Sequence, residues 1–326
     1  MENLEPGTIF ADRYEILGLL GRGGMGQVYR AVDVGLCREV ALKILGTHVM
    51  DDYEARFERE AHAIARLDHP GCVRIVDHGR ARNRQYIAME LLEGSSLAVL
   101  LEREGQLSIT RAIYFADKLL AALAHAHAQG VCHRDIKPEN VVLVTRGAFR
   151  PVLIDFGLAS LRDDAVLTQR GMCVGSPSYL APERLLGRPY DARADLYAVG
   201  VILYEMLAGL RPFVGSSSRE IMQNALERPP RPLRAVRSDV SPELEALVMR
   251  ALAKDPERRF ADADEMRSRL AEVAEAASTE LRSVQVATRR DDAASTMIQI
   301  ATIRTSVWRR LWSWLRYGGW RWHTPT

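Results

Sequence analysis

Eight consecutive residues, His133-Arg134-Asp135-Ile136-Lys137-Pro138-Glu139-Asn140, constrain this chain more than any other stretch of it. They place a carboxylate, an ammonium and an amide on one short segment that Pro138 keeps from being a regular helix interior. Asp135 can accept a hydroxyl proton, Lys137 offers a compact cation for a phosphoryl group, and Asn140 offers a neutral oxygen to a divalent cation. Fifteen residues after Asn140 the apolar run Val152-Leu153-Ile154 leads into Asp155-Phe156-Gly157, which reads as a metal-binding carboxylate at the end of a buried strand. A fold that serves these two segments must bring a loop and a strand end together from separate parts of the chain.

Four further motifs extend the pattern. Gly21-Arg22-Gly23-Gly24-Met25-Gly26-Gln27-Val28 is glycine-rich, Val40-Ala41-Leu42-Lys43 is a strand-like run ending in lysine, Glu60 lies in a helical pattern, and Ala181-Pro182-Glu183 follows a polar stretch. Together, in this order and at these spacings, the motifs resemble those of the protein kinases, over about residues 10–270. The resemblance implies an α+β fold of two lobes, with a small antiparallel β-rich N-lobe over a larger, mainly helical C-lobe. It implies ATP and Mg²⁺ as cofactors, with Mn²⁺ as an alternative, and proteins as substrates. It sets an N-terminal extension (1–12) apart from a kinase domain (13–276) with N-lobe to about 89, hinge about 90–94 and C-lobe from about 95, and the composition beyond it reads as a flexible linker (277–304) and a Trp/Arg-rich tail (305–326).

Roles follow position by position. Leu20, Gly21, Gly23, Gly24, Gly26 and Val28 would cover ATP, the glycines because no Cβ keeps the backbone from the phosphates. Ala41, Met89 as gatekeeper, and the main chain of Glu90 and Leu92 would hold the base. Lys43 would reach the α- and β-phosphates, aimed by an ion pair with Glu60. Asp135 would orient the acceptor hydroxyl and take its proton, Lys137 would offset charge on the γ-phosphate, and Asn140 and Asp155 would hold the metal. Lysine two residues after Asp135 is the serine/threonine pattern. Arg134 would receive a phosphate carried by Thr168, the expected autophosphorylation site, whose roughly two added charges would order the activation segment. Ser176 stands where the family usually carries threonine; it keeps the hydroxyl without the stiffening methyl, so looser target selection is expected. Glu139 resembles a position that in some members attracts basic residues N-terminal to the target site.

Elsewhere periodicity predicts elements, and the resemblance adds roles for Asp195, Glu183 and Arg259. Asp51-Asp52 caps a helix to about Leu67 with Phe57, Ala61 and Ile64 on one face, Val73 to Val76 and Tyr86 to Gly94 read as strands, and Ile109 to Gln129 as a long helix. His125 and His127, two apart on that helix, face different sides and are read as structural. Asp195, heading an apolar helix, would bond the catalytic-loop backbone, and Glu183 would pair with Arg259.

Composition narrows the setting. With 47% hydrophobic and 26% charged residues and a formal net charge of +2, no global field argues for nucleic acid. Four scattered cysteines, an acidic Met1-Glu2-Asn3-Leu4-Glu5 start and no apolar run of about 18 residues point to a reducing cytoplasm without a secretory signal. All five tryptophans fall in the last nineteen residues, interleaved with arginines. On a helix Trp308, Leu311, Trp312, Trp314 and Leu315 share one side and Arg309, Arg310, Ser313 and Arg316 the other, a profile suited to peripheral contact with the inner face of a membrane, to docking on the chain's own lobes, or to a partner. A transient homodimer is compatible with all of this. A nucleotide-gated binding module and a small-molecule kinase are the rival functions.

Overall fold

The computed structural model describes residues 3–23, 26–46, 53–145, 149–156 and 177–276, with 53–56 and 59 as backbone alone. Gly24, the cap at Asp51-Asp52, Thr168, Ser176, the linker and the tail lie outside the described residues.

The N-terminal part is a six-stranded antiparallel sheet of order β1-β2-β3-β4-β6-β5, formed by β1 (Ile9–Phe10), β2 (Tyr14–Gly23), β3 (Gly26–Asp33), β4 (Arg38–Leu45), β5 (Ile75–Ala81) and β6 (Arg84–Glu90). The period of two decides what β4 does. Val40, Leu42 and Ile44 join one apolar cluster with Tyr14, Ile16 and Tyr29, whereas Ala41 and Leu45 join another with Phe57, Ala61 and Met89. Lys43 alternates with Ala41 and Leu45 and so stands on the second face, opposite Val28 on one neighbour and Ile87 on the other. Both faces are covered, which is why the strand reads as an unbroken apolar run apart from its lysine.

Helix α1 (Tyr53–Ala65) lays Phe57 and Ala61 on that second face, while Ile64 packs into the large apolar cluster of the C-terminal part. It stops two residues before the expected Leu67 because Arg66 and Leu67 bond back to Ala63 and Ile64, three residues earlier, and tighten the last turn. The strand expected at Val73 begins at Ile75: the Val73 amide donates to Leu153 O at 2.9 Å and Leu153 N to Gly71 O at 2.8 Å, so this segment pairs outside the sheet.

The C-terminal part is helical. It contains α2 (Leu97–Glu104), α3 (Ile109–Ala128), α4 (Pro182–Leu185), α5 (Arg193–Ala208), α6 (Ser218–Glu227), α7 (Pro242–Ala251) and α8 (263–276). Helix α5 is buried almost all round and is the axis of the largest apolar cluster. Gly200 permits this, since a Cβ there would lie 2.7 Å from that of Ala251. A three-stranded sheet of β7 (Gly94–Ser96), β8 (Val141–Val144) and β9 (Arg150–Leu153) carries the chain out of and back to the expected catalytic loop. Val144 and Val152 pack in the same cluster as Ala41 and Met89, so the floor of the cleft is continuous between the lobes.

Candidate functional site

The loop His133–Asn140 hangs from α5. Asp195, 3% exposed, accepts the backbone amides of His133 and Arg134, each at 2.8 Å, and His127 Nε2 at 2.9 Å. Burial pushes the Asp195 carboxyl up, but His127, His133 and the Arg134 amide together carry it below the ordinary carboxylate value. It is therefore an anion that holds the loop in place. His133 is fully buried, with its Nε2 2.9 Å from Ile154 O and its Nδ1 accepting the Asp135 amide at 3.3 Å; a single proton on Nε2 satisfies both, and burial lowers the affinity for a second. The ring lies 4.5 Å from that of Phe156, which ties the loop to the second carboxylate segment.

Inside the loop, Asp135 Oδ2 accepts Lys137 Nζ at 2.7 Å and Asn140 Nδ2 at 2.9 Å, and Asn140 Nδ2 also donates to Asp135 O at 2.8 Å. These two bonds fix the amide, turning Asn140 Oδ1 away from Asp135. The Ile154 amide donates to Asn140 O at 3.0 Å, so β9 delivers Asp155 next to the loop. Arg134 and Asp155 both adopt left-handed φ, 67° and 63°, an uncommon conformation for residues with a side chain and one that clusters at functional sites. Asp155 Oδ1 lies 2.8 Å from Lys43 Nζ. Thus Lys43 with Asp155, and Lys137 with Asp135 and Asn140, form two polar sets that the Ile154–Asn140 backbone bond brings side by side, from residues more than a hundred apart at the extremes.

Glu60 departs from expectation. Its Oε1 accepts Arg134 Nη1 at 3.0 Å, while Lys43 is engaged by Asp155. The Lys43–Glu60 pair is not formed in this arrangement: helix α1 stands where its glutamate meets the loop arginine, and spacing along a helix cannot report where the helix is docked.

Along the roof and wall, Val28, Ala41, Met89 and Leu92 all belong to the apolar cluster that spans the cleft. Val142 and Ile154 share it and were missed, because Val141-Val142-Leu143-Val144 is an unbroken apolar run whose two faces look alike in sequence. The Glu90 amide donates to Arg74 O at 3.0 Å and is not available to a ligand. Among the glycines, a Cβ would meet nothing within 4 Å at Gly21 or Gly23, but at Gly26 it would fall 2.2 Å from Ile44 O. Gly26 is thus demanded by the neighbouring strand, whereas among the described glycines of this loop the bareness of Gly21 and Gly23 is not needed by the fold itself. Leu20 is exposed.

Below the loop, Glu183 and Arg259 form a bidentate pair with both contacts at 2.7 Å, and Arg259 also donates to Ala253 O and Lys254 O. Arg184 donates to Arg134 O, joining the Ala181-Pro182-Glu183 segment to the loop.

The protein kinase domain family matches residues 14–270. A serine/threonine-protein kinase, pkn3, of Myxococcus xanthus is 39% identical over 305 residues, covering 90% of this chain and 55% of its own length. PknD of Mycobacterium tuberculosis, a serine/threonine-protein kinase, is 40% identical over 256 residues, or 78% of this chain and 38% of its own length. PknB of Mycolicibacterium smegmatis, also a serine/threonine-protein kinase, is 38% identical over 273 residues, or 81% and 43%. The chain thus spans between about two fifths and just over half of the length of these relatives.

Proposed function

The chain belongs to the protein kinase domain family, and from that premise we propose that it transfers the γ-phosphoryl group of ATP to serine and threonine hydroxyls of proteins, with residues 13–276 as the catalytic unit. The observation that carries the reading is that two sets of contacts, Lys43–Asp155 and Lys137–Asp135–Asn140, are brought together by the bond from the Ile154 amide to Asn140 O. In this reading Lys43 steadies the α- and β-phosphates. Asp135, already accepting Lys137 and Asn140, turns its remaining lone pairs to the acceptor hydroxyl and takes the proton as the new P–O bond forms. Lys137, 2.7 Å from that carboxylate, lies where charge gathers on the phosphoryl oxygens.

Asn140 Oδ1 and Asp155 would hold a divalent cation, and their donor set fits one: an amide oxygen and a carboxylate oxygen are hard ligands suited to Mg²⁺. Bound there, the cation supplies charge compensation to the phosphate oxygens.

Regulation follows from Glu60. While it holds Arg134, that guanidinium is committed; a shift of α1 that brought Glu60 to Lys43 would leave Arg134 to a phosphate on Thr168. The chain would act in the reducing cytoplasm, and residues 305–326, with their interleaved tryptophans and arginines, would give peripheral contact with an anionic membrane. Liposome sedimentation of the chain with and without those residues tests that part, equal binding removing it.

For the reaction itself, the purified protein and an Asp135→Asn variant are incubated with labelled ATP and Mg²⁺, and phosphorylated residues are mapped by mass spectrometry. Phosphate on serine or threonine, lowered by about 10³-fold in the variant, is the expected outcome. Nucleotide binding without transfer by either protein would replace this reading with that of a nucleotide-gated binding module.

A further inference from the structure

Beside the catalytic loop lies a charged corner that the chemistry above does not use. Tyr179, at the end of the turn Pro177–Tyr179, lines the same cavity as Asp135 and Lys137. Its hydroxyl donates to Glu205 Oε2 at 2.6 Å, and Glu205 stands in the last turn of α5. Burial pushes the Glu205 carboxyl up, Tyr179 and Arg211 pull it down, and the negative charge of Glu139 pushes it up again. Glu139 itself is exposed, two residues beyond Lys137. Into this corner comes Arg211, just past the end of α5: its Nη1 donates to Ser178 Oγ at 2.7 Å and its Nε lies 4.0 Å from Glu205 Oε1.

The charges matter because of where a substrate must run. A hydroxyl presented to Asp135 sits on a chain that advances about 3.3–3.6 Å per residue, so residues two or three away pass over the surface next to the loop. Two carboxylates there, Glu139 and Glu205, would by themselves favour a basic side chain. Arg211 changes that balance. It already supplies the positive charge, it is anchored on Ser178 within the turn that borders the cavity, and with 37% of its side chain exposed it faces outward, where a second cation would meet like charge.

We propose that Arg211 is a specificity-determining residue: it fills the acidic corner made by Glu139, Tyr179 and Glu205, so that the protein does not select basic residues around the serine or threonine it phosphorylates. This rests on the phosphotransfer reading above. The arginine acts as a built-in occupant of a site that would otherwise recruit one from the substrate.

A positional-scanning library of serine and threonine peptides, with labelled ATP, tests it on the full chain. The readout is the kcat/KM ratio of an arginine-containing peptide to its alanine counterpart, an internal ratio that partial loss of folded protein leaves unmoved. Wild type is expected to show a ratio near one at every position, and Arg211→Gln to raise it about fivefold at one position, the scale of a half-exposed ion pair. Arg211→Lys, which keeps the charge, should remain near wild type, and Arg211→Gln combined with Glu205→Gln should lose the gain. An unchanged ratio in Arg211→Gln, or a wild type that already prefers arginine, overturns the proposal while leaving phosphotransfer standing. A wild type that phosphorylates no peptide in the library overturns both.

Discussion

The loop His133–Asn140 and helix α1 meet at Arg134, yet they are held by opposite kinds of interaction. On the loop side, Asp195 is 3% exposed and receives three donors, while the Arg259–Glu183 pair beneath it is buried and bidentate. On the helix side, the Glu60–Arg134 pair has side chains 24% and 30% exposed and a single contact at 3.0 Å. Buried, multiply satisfied charges are costly to rearrange, because any alternative leaves one of them unpaired in a low dielectric. A half-exposed pair exchanges partners with water at little cost. The loop is therefore set by the fold before any nucleotide arrives, and the position of α1 is the adjustable quantity.

The largest expected effect tests the rigid half. Replacing Arg259 by methionine leaves the Glu183 carboxylate buried without its partner and should lower unfolding free energy by about 3–5 kcal/mol in urea titration. Adding Glu183→Leu should recover much of that loss, since it removes the orphaned charge. A single variant as stable as wild type would mean that the pair does not brace the loop. The adjustable half predicts a smaller number: Glu60→Gln should change stability by less than about 1 kcal/mol while lowering phosphotransfer by about tenfold or more. If Glu60→Gln cost as much stability as Arg259→Met, the contrast between the two halves would collapse.

That contrast also separates what could be read in the sequence from what could not. Loop chemistry was legible because Asp135, Lys137 and Asn140 lie within six residues, so their convergence is local geometry. Asp195 and the Glu183–Arg259 pair were legible through resemblance. The partner of Glu60 was not, because helical spacing assigns a face and says nothing of how far the helix stands from β4. His127 was read as structural without a partner; its place on the loop anchor depends on α5 passing beneath α3, a contact between residues 68 apart. Gly26 looked like its neighbours Gly21 and Gly23, and only the approach of Ile44 O distinguishes it. The start of β5 was misplaced for a similar reason: Val73 has strand character, but its amide is taken by Leu153 from the other lobe.

The smallest expected effect concerns the attachment of α1 itself, which two histidine pairs flank. His62 on α1 meets His78 on β5 with ring centroids 4.6 Å apart, and His69, just beyond α1, stacks on His125 of α3 at 5.4 Å. His69 Nδ1 accepts the Gly71 amide at 3.0 Å, a bond that suits a neutral ring, and His125 Nε2 accepts the Asp68 amide at 3.2 Å and sits 2.9 Å from Gln129 Nε2. Burial, and then the charge of His125, Arg267 and Lys118, hold His69 below the ordinary histidine value. Burial and the charge of His62 do the same for His78, opposed by Asp77 and Glu58. With the folded-state values depressed, both states are neutral above about pH 6.5 and these groups add no slope. As pH falls below that, the unfolded chain takes up protons first, so stability is lost until pH passes the folded-state values. Carboxylates such as buried Asp33 and Asp195 and half-buried Asp117, all held below their ordinary values, lose their contribution only at lower pH, in the carboxylate range, which separates the two windows. Urea midpoints measured from about pH 7.5 to 5.5 should therefore decline in wild type, and more gently in a His69→Gln, His78→Gln double variant, where buried His133 keeps its own share of the slope. A double variant with the wild-type slope would place the acid sensitivity in His133 and the loop, and would leave the seat of α1 indifferent to pH.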